Sequence, residues 1–366
     1  MSVKLSFSFG QDSTNLHGDG LQLDNPLFRI LAAIHARGSI GAAAEAVELS
    51  YRHVWGCLKD QEIVFGGPLV ESAPGKPARL SALGERLLWA ERRATARLQP
   101  AAEAMAARLD TEILLAARPA LRRLPMVASH DLLIAQLRDA LRQNADYLLD
   151  AEFAGSTQAL EQLNAGTCPL AGIHLPLRDE HLCQRGSPLH QGMGRLLRLG
   201  DHKLVRMASR EQGLIVAPGN PMGIRDLADI AARGLSFINR QPGSGTRLLV
   251  DALMDHHALS ACAIRGFEQI ETTHLAIAAA VAAGLADAGF GLRAAAEPCG
   301  LGFVPLVTED YFIVCHKDFL DTPAMEALRA TLATPAFRAL ADSLPGYSGA
   351  GAGEVISLRR TLPWYK

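Results

Sequence analysis

The spacing of apolar residues changes once along this chain, and that change predicts its architecture. Up to about residue 110 the pattern is helical; beyond about residue 112 short β-rich runs alternate with helices. At the start, Val3, Leu5, Phe7 and Phe9 alternate with polar residues, and Asn25-Pro26 then offers an N-cap followed by proline at the first helical position. A helix over 26–36 is expected. Gly38-Ser39 starts a short alanine-rich helix, and Ser50 caps a third, YRHVWGCLKDQE, whose Val54, Cys57 and Leu58 share an apolar face. Two short helices joined by Glu48-Leu49 suggest a helix-turn-helix. Residues 63–80, IVFGGPLVESAPGKPARL, place two β-like pieces around a Pro/Gly turn, so a wing should complete the unit.

The segment after the wing carries Leu83, Leu87, Ala90, Ala94 and Leu98 at three- and four-residue steps, a coiled-coil-like seam over 81–98. Pro100 should kink that helix or restart it. Such a seam either separates two winged units in a dimer or packs onto its own unit. From 112 onward the expected strands are 126–129, 148–154, 170–175, 203–209, 213–218, 235–239, 286–291 and 311–316. Helices are expected over 131–143, 156–165, 223–233, 244–257, 274–284 and 323–342, the last with a break at Pro335. Alternation of this kind indicates an α/β unit with a mostly parallel sheet. Residues 176–202 read as a loop or a crossover between lobes, and GYSGAGAGEV reads as a flexible linker before a basic, aromatic tail, LRRTLPWYK.

Composition narrows the classes. With 366 residues, 49% hydrophobic and 20% charged, the chain is globular with room for two or three domains. A net charge of −2 removes any global basic field, so a nucleic-acid partner must meet a local patch. Cysteines 57, 168, 183, 262, 299 and 315 form no CxxC pair and no metal-ligand spacing, which fits free thiols. No export signal and no run of about 18 apolar residues is evident, so a cytoplasmic protein without a membrane partner is expected.

Four strand ends run into hydroxyl-bearing helix starts: Ser129-His130-Asp131, Gly155-Ser156-Thr157, Gly243-Ser244-Gly245-Thr246 and Thr272-Thr273-His274. Each first helical turn has free N–H groups and about half a positive charge, so several converging starts suit an anion. Taken singly, such Ser and Thr residues are ordinary caps; four in one α/β unit are not. INRQPGSGTR, residues 238–247, lacks the spacing and lysine of a Walker loop and the third glycine of GxGxxG. It suits a backbone nest with Arg240 and Arg247 beside it. Ser129, His130 and Asp131 spell a triad, but consecutive side chains diverge and cannot relay a proton. His130, His174 and His274 each follow a strand and read as hydrogen-bond donors to a ligand or as satisfied partners of cap residues rather than metal ligands. No catalytic residue and no metal site are expected. The candidate ligand set is therefore Ser129, His130, Ser156, Thr157, His174, Arg240, Gly243, Ser244, Gly245, Thr246, Arg247, Thr273 and His274.

The candidate DNA set is Ser50, Tyr51, Arg52, His53 and Lys59 from the third helix with Lys76 and Arg79 from the wing. Over 50–97 eight Lys/Arg stand against five Asp/Glu, a local excess placed where phosphate contacts would orient the unit. Tyr51, Trp55 and Lys59 share one helix face, and Trp55 either packs under the wing or lies against DNA.

These segments resemble known families. GSIGAAAEAVELSYRHVWGCLKDQE with GPLVES and GKPARLSALGERLL, over about 25–108, is similar to the winged helix-turn-helix of molybdate-responsive ModE-type and LysR-type regulators. SHDLL, FAGSTQALEQLNAG, AGIHL, INRQPGSGTRLLVDALM, THLAIAAAVAAGLADAGFGLRAAA and FVPLVTEDYFIV, over about 124–342, resemble a periplasmic-binding-protein-like domain. The resemblance implies an α/β multidomain chain: a winged helix-turn-helix (1–80), a linker and dimerisation helix (81–110), a bilobal type 2 binding-protein-like α/β domain (111–345) and a tail (346–366). It implies a one-component transcription regulator, not an enzyme, acting as a homodimer or tetramer on a double-stranded operator. The implied effector is a small anion: molybdate, tungstate or a molybdenum-cofactor-related molecule. The alternative is an enzyme or carrier protein in molybdenum cofactor handling.

Overall fold

A computed structural model describes residues 26–73 and 76–366. The alternating opening (Val3, Leu5, Phe7, Phe9), the Asn25 cap and the Pro74-Gly75 tip of the wing lie outside the described residues. The chain divides into two compact units, 1–99 and 100–366.

The first unit contains α1 (Pro26–Arg37), α2 (Ile40–Ala46), α3 (Tyr51–Phe65), the antiparallel pair β1 (Val70–Glu71) and β2 (Arg79–Leu80), and the beginning of α4 (Ala82–Ala117). Local chemistry sets the boundaries. Ser39 Oγ accepts from the Ala42 amide at 3.4 Å and Ser50 Oγ from the His53 amide at 3.2 Å, each satisfying a free donor of a first turn. Between them Glu48 takes φ 56, the left-handed corner that joins the two helices. Leu27, Ile30, Leu31 and Ile34 of α1 bury against Val54 and Leu58 of α3, Leu69 and Leu80 beside the wing, and Leu88 of α4. Each such side chain contributes about 1.5–3 kcal/mol. The expected winged helix-turn-helix is present.

The structure chooses between alternatives at two points of α4. The helix continues through Pro100, which removes one donor from the ladder without ending it. Leu83 and Leu87, read as seam positions, pack partly buried against the unit's own core. Leu98, another seam position, is exposed, as are Met105, Leu109 and Ile113 further on.

The second unit continues with β3 (Arg122–Ala128), α5 (Leu133–Asn144), β4 (Tyr147–Phe153), α6 (Ser156–Asn164), β5 (Leu170–Leu175), α7 (Pro188–Met193), β6 (His202–Val216), α8 (Leu227–Ala232), β7 (Phe237–Arg240) and α9 (Gly245–His256). It ends with β8 (Ile270–Glu271), α10 (His274–Ala282), β9 (Ala288–Leu292), α11 (Arg293–Ala296), β10 (Gly302–His316), α12 (Pro323–Ala333), α13 (Pro335–Asp342), β11 (Tyr347–Ser348), β12 (Val355–Ile356) and α14 (Leu358–Thr361). The strand order is β4-β3-β5-β10-β6-β9-β7-β8, with β11 and β12 also on β6. β3, β4 and β5 make one parallel group and β7, β8 and β9 another. The 15-residue strands β6 and β10 pair antiparallel along their whole length and cross from one group to the other. The unit is therefore bilobal, with β6 and β10 as the bridge.

The sheet is mixed rather than mostly parallel, and the separately expected strands 203–209 and 213–218 are one strand. The polar run Arg210-Glu211-Gln212 looked like a break between two strands. It faces Glu309, Thr308 and Val307 of β10 in register, so pairing carries the strand through it. Gly213 also looked like a boundary, but a Cβ there would stand 2.0 Å from the Val304 carbonyl oxygen, so the close approach of β10 requires glycine.

The C-terminal segment is not a flexible linker and tail. β11 and β12 pair with β6, Tyr347 is buried, and its hydroxyl donates to Asp131 Oδ2 at 2.9 Å. Trp364 packs into the core and the Tyr365 hydroxyl bonds the carbonyl oxygens of Gly194 and Leu197. Small residues there permit tight turns, not disorder: Gly346, Gly351 and Gly353 all take positive φ.

His202 and His316 face each other across the outer end of β6 and β10, with ring centroids 4.9 Å apart. Burial, and then His316, push His202 from 6.5 down to about 4. Between those values the unfolded chain holds the extra proton, so stability should rise with pH from about 4 to about 6.5 and be lost as pH falls through that window. His174 and His274 are shifted in the same direction. Urea midpoints measured across this range should show that slope, and His202→Asn should make it shallower; a flat midpoint would contradict this account.

Candidate functional site

Where β6 and β10 pass between the lobes, the sequence places charges inside a sheet that is otherwise apolar. Arg210 of β6 is fully buried and donates from Nε to Glu309 Oε1 at 2.7 Å and from Nη1 to Asp131 Oδ2 at 2.5 Å. Gln212, two residues on, donates from Nε2 to Glu309 Oε1 at 2.7 Å and to Thr246 Oγ1 at 3.1 Å. One polar network thus ties the first lobe (Asp131), both bridge strands, the second lobe (Thr246 in the first turn of α9) and the C-terminal segment (Tyr347).

Arg240 closes β7 beside this network. It is buried, its Nε donates to Gln241 Oε1 at 3.1 Å, and no ion pair to it occurs among the described residues. Burial, and then repulsion from Arg210, push it down to about 9, with Glu309 opposing. It remains charged at neutral pH, so it supplies a buried cation without a matched anion.

Unpartnered polar atoms surround it. Ser156 Oγ, both ring nitrogens of His174, His274 Nδ1 and Gln212 Oε1 are buried without a hydrogen-bond partner. His174 and His274 are held well below the usual histidine range, first by burial and then by Arg210 and Arg240, so both rings are neutral. The same two arginines and His130 act on both rings. Gly245 adds the backbone of α9: a Cβ there would lie 3.0 Å from Ser156 Oγ and 3.5 Å from His174 Nδ1. The arrangement offers one buried positive charge without an ion pair, hydrogen-bond donors and acceptors, and the start of α6, which has no side-chain cap. It can hold and enclose an anion.

The lobes also touch directly. A Cβ on Gly155 would stand 2.5 Å from the Gly243 carbonyl oxygen, and Thr157 Oγ1 lies 3.5 Å from that same oxygen. Gly155→Ala should therefore hold the lobes apart and weaken anion affinity at least tenfold with little change in unfolding midpoint. Calorimetric titration of the variant checks this; unchanged affinity would show that the contact is not needed for closure.

Of the candidate ligand residues, Ser156, His174, Arg240, Gly245, Thr246 and His274 are brought together. His130 lies near them but packs on Phe153, ring centroids 4.8 Å apart, with Glu103 3.8 Å from its Nε2. Ser129 is buried and uses its carbonyl to accept from Tyr311. Ser244 and Thr273 act as caps, accepting from the amides of Arg247 at 3.1 Å and Ala276 at 3.0 Å. Gly243, at φ 80, makes the turn before α9. Arg247 is not delivered to the cluster. Its Nε meets Asp251 at 3.0 Å, its Nη2 lies 3.6 Å from Glu268 and its guanidinium stacks over the Phe267 ring, while Nη1 is buried without a partner. Arg210, Gln212 and Glu309 were absent from the candidate set; the signal that could have found them is a polar triplet interrupting a long β-rich run. Among the described residues no group of three or more His, Cys, Asp or Glu is arranged to hold a metal ion.

In the first unit Tyr51, Arg52, His53, Lys76 and Arg79 are exposed, while Ser50 serves as the cap. Lys59 pairs with Glu62 at 2.5 Å and lies 5.5 Å from the Trp55 ring centroid. Trp55 is half exposed rather than packed under the wing. No helix among the described residues is long and apolar enough to cross a membrane.

Residues 138–333 match the PBP superfamily domain, and that span is more than half of the chain. The chain belongs to the PBP superfamily. The uncharacterized protein YvgK of Bacillus subtilis (strain 168) is 30% identical over 228 residues, covering 62% of this chain and 70% of that protein. Among solved structures, full-length BenM is 15% identical with a TM-score of 0.43, covering 87% of this chain and 96% of BenM. ArgP from Mycobacterium tuberculosis is 22% identical with a TM-score of 0.39, covering 88% of this chain and 99% of ArgP. In this PBP superfamily member the charged bridge between the lobes, rather than a glycine-rich loop alone, defines the candidate site.

Proposed function

We propose that this chain is a DNA-binding, one-component transcription regulator whose second unit closes on a small anion. Molybdate, tungstate and a molybdenum-cofactor-related molecule are the candidates carried over from the resemblance. The observation that supports the reading most is Arg240: a buried guanidinium with no carboxylate partner, ringed by unpartnered polar atoms where two lobes meet. A buried charge of this kind costs stability unless something pairs with it, and an anion held by both lobes would do so. Closure then becomes the two-state element that an effector biases.

DNA binding rests on the winged helix-turn-helix and on the exposed Tyr51, Arg52, His53 and Arg79. A second copy would pack on the exposed Met105, Leu109 and Ile113 of α4, spaced by four residues. Gel shifts and footprints on the chain's own upstream region test the regulator. Arg52→Ala should weaken DNA binding about tenfold, lower the salt slope by about one, and leave anion affinity alone. Absence of sequence-specific binding by the unaltered chain would sink the reading.

A further inference from the structure

Gln212 says more about the ligand than its charge. Its amide has two hydrogens, and both are in use, one toward Thr246 Oγ1 and one toward Glu309 Oε1. Glu309 also decides which end of the amide is nitrogen. Turning it over would set a carbonyl oxygen 2.7 Å from a carboxylate oxygen that Arg210 already engages, two acceptors with no hydrogen between them. Oε1 is therefore a committed acceptor, and it is buried with no partner. His174 adds a second: a neutral imidazole keeps one lone-pair nitrogen, and neither of its ring nitrogens has a partner. A bare tetrahedral oxyanion brings only lone pairs and would leave both acceptors unmatched beside it.

Resting on the anion-cleft reading above and narrowing it, we propose that the cleft is built for an oxyanion that carries its own hydrogen-bond donor, a protonated phosphate, rather than a fully deprotonated one. Arg240 and the Ser156 hydroxyl serve the anionic oxygens, and Gln212 Oε1 with His174 receives the ligand's O–H. The selectivity follows from the asymmetry of hydrogen bonding: a missing donor leaves a buried acceptor unsatisfied, whereas an extra lone pair on the ligand costs little.

The test uses matched pairs of equal shape. At pH 7 phosphate and arsenate retain a proton, while sulfate, selenate, molybdate and tungstate do not. Calorimetric titration of the full chain should find phosphate and arsenate at least tenfold tighter than sulfate and selenate, and tighter than molybdate. Methyl phosphate, whose second pKa is about 6 and which is mostly without a proton at pH 7, should bind more weakly than phosphate at that pH, and binding as tight as phosphate overturns the proposal. In Gln212→Met the preference for phosphate over sulfate should shrink to less than threefold. Sulfate, molybdate or tungstate binding as tightly as phosphate overturns the proposal and leaves the anion cleft standing. No binding by any of these anions overturns the cleft reading with it.

Discussion

Arg210→Met is expected to lower unfolding stability by about 3–5 kcal/mol, because it leaves two buried carboxylates, Asp131 and Glu309, without their shared cation. The three groups were desolvated together, and their mutual attraction is what offsets that cost. Removing the cation leaves the cost and takes away the compensation. Asp131 still accepts from Tyr347, and Glu309 from Gln212, but those are single neutral donors against a full negative charge. Urea unfolding at pH 7 measures the loss. Combining Arg210→Met with Glu309→Gln should recover part of it, since one of the stranded charges is then gone. A loss below about 1 kcal/mol would mean that water or rearrangement reaches the bridge and that it is not the rigid element described here.

Arg240→Met should behave in the opposite way. The folded chain holds Arg240 at about 9 instead of 12.5, so between those values the folded state binds fewer protons than the unfolded one and stability rises with pH. Below about 9 the whole penalty of the buried charge is present, including at pH 7. Methionine removes that penalty, so the unfolding midpoint should stay level or rise. Anion binding should fall about a hundredfold or more, because a buried cation with no ion pair among the described residues is gone; losing a buried charge-assisted contact costs about 2–5 kcal/mol. In unaltered protein an anion at about 100 times its Kd should stabilise by about 2.7 kcal/mol, and in the variant that gain should vanish at the same concentration. A variant that binds as before would return Arg240 to a structural role.

Opposite signs, if found, would separate a charge paired within the fold from one left for a ligand. Both are long side chains with almost no exposure. Arg210 is surrounded by carboxylates, and Arg240 by neutral imidazoles, a hydroxyl and a glycine-opened helix start. Nothing in their local sequence distinguishes them.

Local pattern was enough for much of the fold. The helix-turn-helix was legible because its caps, Ser39 and Ser50, and its buried stripe lie within a few residues of each other. β5 was read at its observed limits because its run of apolar residues is bounded by turns on both sides, and Thr334-Pro335 announced the break between α12 and α13. The site was half legible: Ser156, His174, Gly245 and His274 were found as strand ends and helix starts. What the sequence by itself determined, then, is where elements begin and end and which of them present free N–H groups, since both depend on neighbours three or four residues away. Tertiary structure alone decided the rest. Pairing with β10, about a hundred residues distant, turned the polar run 210–212 from an apparent gap into the bridge between lobes. Packing turned a glycine-rich end into an ordered strap over β6. Contact with Asp251, Glu268 and Phe267 took up most of the Arg247 guanidinium, while Arg240 was left without an ion pair among the described residues. A charge acquires its role from what surrounds it after folding, and those surroundings come from segments that no local pattern connects.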